Sequence, residues 1–114
     1  MTLALANVTL DCADPARVAR FWSAALDRPV DEGASEWFVS IGMGDEGRPA
    51  WFFIKVPEAK SAKNRMHVDL RADDREAEVA RLEGLGAKRL ADHDEQGVRW
   101  TTMGDVEGNE FCIA

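Results

Sequence analysis

The 114-residue chain is 46% hydrophobic and 31% charged, with four Trp and five Phe, which suits one ordinary domain with its own core and excludes a disordered segment. Fourteen basic against twenty-one acidic side chains leave a net charge of -7, which argues against a nucleic-acid or anionic-membrane surface. No N-terminal stretch has the pattern of a signal peptide, and the longest apolar run, Trp51-Phe52-Phe53-Ile54, is far too short to span a bilayer, so no membrane role and a cytoplasmic location are expected. Cys12 and Cys112, near opposite ends of the chain, are then expected to be reduced.

Residues 3–11 read as a strand with Asn7, Thr9 and Asp11 on one face. Asp14-Pro15 signals a helix start, because Asp accepts from free N–H groups and Pro lacks the donor that would go unpaired there. Val18, Phe21, Trp22, Ala25 and Leu26 form its apolar face, and it should stop near Asp27. Alternation over residues 37–43 predicts a strand, a Gly/Asp-rich loop follows, and residues 51–56 predict a second strand apolar on both faces, the two pairing as a hairpin. Residues 57–65 are a polar connector.

After the connector, His67-Val68-Asp69-Leu70 predicts a strand, and Asp73-Asp74-Arg75-Glu76 predicts a helix start with Asp73 as cap and Glu76 reaching back. Val79, Leu82 and Leu85 form the buried stripe, with Gly84 and Gly86 at the helix end. Residues 87–91, 98–103 and 110–113 are three short strands, the last introduced by the turn Asp105-Val106-Glu107-Gly108-Asn109. Asp92-His93-Asp94-Glu95 reads as a solvated polar loop.

The second half repeats the first. A shift of 60 residues lays Asn7-Val8-Thr9-Leu10 over His67-Val68-Asp69-Leu70, and an Asp-rich turn and an amphipathic helix follow both times. The fold class is therefore α+β: two modules, about residues 1–57 and 66–114 of a single domain, forming one curved mixed sheet with the helices outside. Open strand edges of such a sheet leave homodimerisation open.

The duplicated order, together with Asp11-Cys12-Ala13-Asp14-Pro15, Phe21-Trp22, His67-Val68-Asp69-Leu70, Leu85-Gly86-Ala87 and Asp105-Val106-Glu107-Gly108-Asn109-Glu110-Phe111, resembles the glyoxalase-like branch of the vicinal oxygen chelate superfamily. The resemblance covers essentially the whole chain. It implies paired βαβββ modules curving round a cavity, in which many members hold a divalent metal for isomerase, lyase, dioxygenase or thiol-transfer chemistry. Others, including bleomycin-resistance proteins, bind a small molecule without a catalytic metal. Fold alone does not choose between them.

The metal-dependent members take ligands from the first and last strands of each module. The matching positions here are Asn7, His67, Cys112 and one within residues 52–54, where no side chain can coordinate. A hard cation wants carboxylate oxygens, and these positions supply none. Zinc accepts imidazole and thiolate, but two such ligands fall short of its usual sites. Glu110, on the same strand face as Cys112, could approach the cavity rim, so His67 and Glu110 are the weak metal candidates.

His67 is also the candidate general acid or base, its structural alternative being a hydrogen bond to Asp69 or Asn7. Cys112 reads as a small buried hydrophobe, with nucleophilic character only if His67 activates it. Trp37, Trp51 and Trp100 lie on predicted strands and suit the wall of a site for a planar ligand, whereas Trp22 belongs to the helix core. The expected ligand-binding set is Asn7, Trp37, Trp51, His67, Trp100 and Cys112, for a small organic molecule bound without a cofactor. The chain is thus read as sequestering or modifying a metabolite or drug-like compound. The rivals are a metal-dependent lyase, isomerase or dioxygenase, and a regulatory module with a vestigial cavity.

Overall fold

The computed structural model describes residues 3–114. The chain divides into two compact units, residues 1–59 and 60–114. No helix among the described residues is long and apolar enough to cross a membrane.

Unit 1 contains β1 (Asn7–Cys12), α1 (Pro15–Leu26), β2 (Phe38–Ile41) and β3 (Ala50–Lys55). The three strands form one sheet in the order β1-β3-β2. β1 runs parallel to β3, and β2 pairs antiparallel with it. An isolated antiparallel bridge joins Val30 to Ile41. The first strand is shorter than its composition suggests, because the ladder with β3 begins at Asn7 opposite Ala50, and Leu3 and Leu5 are exposed.

Helix α1 starts where expected. The Asp14 carboxylate accepts from the Arg17 N–H at 3.2 Å, and Pro15 occupies the first turn. It ends at Asp27, whose φ of 52° is left-handed. Its buried face, Val18, Ala19, Phe21 and Trp22, lies on β2 and β3, which contribute Val39, Ile41, Trp51 and Phe53 to the same core. Trp22 and Trp51 have ring centroids 4.7 Å apart.

The loop after β2 is fastened by two charged side chains, Asp31 and Arg28. Asp31 accepts from the Met43 N–H at 2.9 Å, the Gly42 N–H at 3.1 Å and the Ser40 hydroxyl at 2.7 Å. The Met43 hydrogen bond is the main cause holding the Asp31 carboxyl below its ordinary value, against the opposing effect of burial. A depressed carboxyl stabilises the fold fully above its unfolded value near 3.8, and that contribution disappears as pH falls through the lower folded value. Asp31→Ala is therefore expected to lower the unfolding free energy at pH 7 by about 1–2 kcal/mol. The deficit should shrink toward zero in urea titrations taken progressively below pH 4.

Unit 2 contains β4 (Val68–Leu70), α2 (Arg75–Gly84), β5 (Lys88–Glu95), β6 (Val98–Gly104) and β7 (Glu110–Ile113), with sheet order β4-β7-β6-β5. β4 is parallel to β7, and the other pairings are antiparallel. Together the units make an α+β fold of two helices and two mixed sheets.

Three local expectations in this half are corrected. The cap of α2 is Asp74, which accepts from the Ala77 N–H at 3.1 Å, and not Asp73. Glu76 does not reach back to the cap, because Arg89 of β5 grips both its oxygens, at 3.0 and 2.8 Å. Leu85 is 38% exposed, since the helix closes at Gly84 and Leu85 sits past its end.

His93 does not lie in a loop. The residues Gln96 and Gly97, both at positive φ, make a two-residue turn that lets β5 run on to Glu95 opposite Val98.

Candidate functional site in unit 2

The strands of unit 2 have two distinct faces, because side chains alternate along each strand. Phe111 and Ile113 of β7 and Thr101 and Met103 of β6 are almost completely buried, in the same core as Val79 and Leu82 of α2. The intervening residues, Glu110 and Cys112 on β7 and Trp100 and Thr102 on β6, face the opposite way and line an open cavity of about 480 Å³. Register completes the wall: His93 pairs with Trp100, Thr102 with Cys112, and Cys112 with Asp69. His67, two residues before Asp69, shares that face.

One wall is aromatic. The imidazole of His93 stacks on the indole of Trp100, with centroids 4.7 Å apart and planes 15° from parallel. Nε2 of His93 lies 3.1 Å from the Thr102 hydroxyl, which lies 3.5 Å from the Cys112 sulfur. On the other side of that sulfur, Nδ1 of His67 is 3.8 Å away, and the same nitrogen is 3.1 Å from Oδ1 of Asp69. A continuous polar row therefore crosses the sheet from Asp69 to His93, with the thiol at its centre.

Glu110 stands at the rim. Lys60 donates to its Oε1 at 3.1 Å, and the Asn64 N–H donates to Oε2 at 3.1 Å. Burial opposes the charged form, but these donors outweigh it and hold the carboxyl below its ordinary value. The carboxylate is thus ionised and already committed to partners on the segment before β4.

The cavity brings together four residues singled out from sequence: His67, Trp100, Glu110 and Cys112. The other three belong to unit 1. Asn7 donates to the Thr9 hydroxyl at 2.8 Å, and Trp37 is 61% exposed, with Lys55 Nζ 4.9 Å from its ring centre. Trp51 is a core residue packed on Trp22, which corrects its expected place on a ligand-facing wall: along β3, Trp51 and Phe53 take the buried face. Sequence reasoning missed Asp69 and His93 as cavity residues. The positive-φ pair Gln96-Gly97 was the signal that His93 sits on a strand across from Trp100.

Donor chemistry tests whether a divalent metal suits this face. His67, Asp69 and Cys112 place one donor atom each within 4.8 Å of one another. A hard ion such as Mn²⁺ wants mainly oxygen ligands, and this trio offers one carboxylate oxygen beside a nitrogen and a sulfur. The one nearby carboxylate that could add oxygens, Glu110, is held by Lys60 and Asn64. The residues do not fit a manganese-type centre. A softer ion would have to break the hydrogen bond between His67 and Asp69, because both neighbours share the single nitrogen Nδ1.

A family model described as a glyoxalase-like domain matches residues 7–114. Among solved structures, the chain is similar to a glyoxalase/bleomycin resistance protein/dioxygenase family enzyme from Burkholderia phytofirmans PsJN. That match has 17% identity, a TM-score of 0.77 and coverage of 97% of each chain. It is also similar to a variant of the fosfomycin resistance protein FosX from Listeria monocytogenes, complexed with Mn(II) and 1S,2S-dihydroxypropylphosphonic acid. Here identity is 11% and the TM-score 0.79, over 99% of this chain and 90% of that one. A lactoylglutathione lyase from Agrobacterium tumefaciens matches at 16% identity and a TM-score of 0.70, over 99% and 93% of the two chains. At these identities the likeness establishes a shared fold. No curated protein matches.

Proposed function

The chain belongs to the glyoxalase-like domain family, and from that premise we propose that it is a small-molecule-binding protein whose unit 2 cavity takes a planar organic ligand without a resident divalent metal. The two units are read as the two modules of one such domain. The observation that carries the proposal is the parallel stack of His93 on Trp100 in the wall of an open cavity, facing the polar row from His67 to Thr102. An aromatic plane offers apolar contact area to a flat ligand, and a few convergent polar groups orient it. The donor set, which does not suit the ion recorded with FosX, supports binding without such a metal.

The role that follows is sequestering or modifying a metabolite or drug-like compound. The edge strands β1 and β2 of one sheet and β4 and β5 of the other are the edges a homodimer would cover. A cytoplasmic setting agrees with two cysteines not joined in a disulfide.

Tryptophan fluorescence tests the reading. In titrations with aromatic probes, N-phenylsuccinimide among them, saturable quenching is expected that is lost in Trp100→Phe and retained in Trp37→Phe. Quenching that survives Trp100→Phe, or none with any probe, contradicts it.

A further inference from the structure

The polar row places a thiol in the lining of the unit 2 cavity, between an imidazole and a hydroxyl. Cys112 is 94% removed from solvent by its 6% exposure, yet it lines the cavity, between the Thr102 hydroxyl and the His67 imidazole. A thiol reacts as its thiolate, so a nucleophilic cysteine needs a nearby base. We propose that Cys112 is a nucleophilic thiol with His67 as its proton acceptor, and that it captures soft carbon electrophiles of the α,β-unsaturated carbonyl class. This rests on the cavity being a ligand site, as proposed above.

The geometry gives each neighbour a part. Nδ1 of His67 is the nitrogen nearest the sulfur, at 3.8 Å, and also the nitrogen nearest Asp69, at 3.1 Å. In the tautomer with the ring hydrogen on Nε2, Nδ1 carries no hydrogen and can take the thiol proton; the N–H⁺ so formed donates to the Asp69 carboxylate, which stabilises the imidazolium that proton transfer creates. The Thr102 hydroxyl, 3.5 Å away, can donate to the sulfur as it gains charge. The His93–Trp100 stack supplies the surface on which the flat conjugated system of the electrophile rests.

The step balances without an oxidant or leaving group. The sulfur forms a bond to the β-carbon, the carbon–carbon π pair moves to the α-carbon through the enolate, and the proton held by His67 is delivered to that α-carbon. The product is a saturated thioether on Cys112. Cys12 is the internal control: it is also buried, but its sulfur lies 3.6 Å from the Ile54 carbonyl oxygen in unit 1, whose sheet carries no imidazole.

The test uses the full chain with N-phenylmaleimide, an electrophile of this class, and N-phenylsuccinimide, its saturated analogue. Intact-mass and peptide mapping are expected to show one adduct, on Cys112, formed well before any on Cys12. His67→Ala should slow the labelling at saturating N-phenylmaleimide by about a hundredfold or more, the scale of a lost general base. Asp69→Asn, which keeps the imidazole and the side-chain size, should give a smaller fall and serves if His67→Ala does not fold. Labelling of Cys112 no faster than in the urea-unfolded chain, or unchanged in both variants, overturns the proposal. Quenching by the succinimide with no labelling by the maleimide overturns the thiol assignment alone; absence of both overturns it together with the binding reading.

Discussion

Phe111→Ala is expected to lower the unfolding free energy by about 3–5 kcal/mol, the range for truncating a fully buried aromatic side chain. Phe111 has no exposed surface and pairs across the sheet with Val68 on one side and Met103 on the other, so little around it can collapse into the space left. Its neighbour Cys112 faces the cavity, and Cys112→Ala should cost far less, below about 2 kcal/mol, because the lost atom borders an opening and not a packed core. Urea midpoints with unchanged slopes would measure both. Equal costs would contradict the division of β7 into a core face and a cavity face, and with it the position of the site.

A second large loss is expected from a residue with no side chain. Gly42 sits at φ 71°, and a Cβ built there would lie 1.8 Å from Nη2 of Arg28. That guanidinium is 7% exposed and ties the loop down, donating to the Pro49 carbonyl at 3.0 Å and to Asp45 at 3.1 Å. Gly42→Ala therefore combines left-handed backbone strain of about 1–2 kcal/mol with disturbed buried hydrogen bonds worth about 1–3 kcal/mol. We expect a total of roughly 2–4 kcal/mol by urea unfolding. If the clash with Arg28 is the cause, Gly42→Ala combined with Arg28→Ala should cost clearly less than the sum of the two single changes. A purely additive result would contradict it.

The helices and most of the strands were legible because their signals are local. Asp14-Pro15 begins α1 as a cap and first turn should, and the order of elements repeats in the second half. What composition could not settle is which face of a strand points where. In Trp51-Phe52-Phe53-Ile54 both faces are apolar, and only the position of α1 puts Trp51 and Phe53 in the core and leaves Ile54 at the surface.

His93 was hidden for a different reason. Its neighbours Asp92, Asp94 and Glu95 look like a solvated loop, but β5 is an edge strand whose residues are almost all exposed, so charged side chains there cost nothing in burial. Asp69 was visible only as a partner for His67; its second role, opposite Cys112 across the parallel pair β4 and β7, depends on a register that no local pattern encodes.

An organic-ligand site without a resident metal is tested most directly by the metal content of the purified, untagged protein, with melting curves taken in Mn²⁺ and Zn²⁺. Far less than one metal per chain and an unchanged melting temperature are expected. A near-stoichiometric metal, or a rise in melting temperature that His67→Ala abolishes, would contradict it and make His67, Asp69 and Cys112 a metal centre.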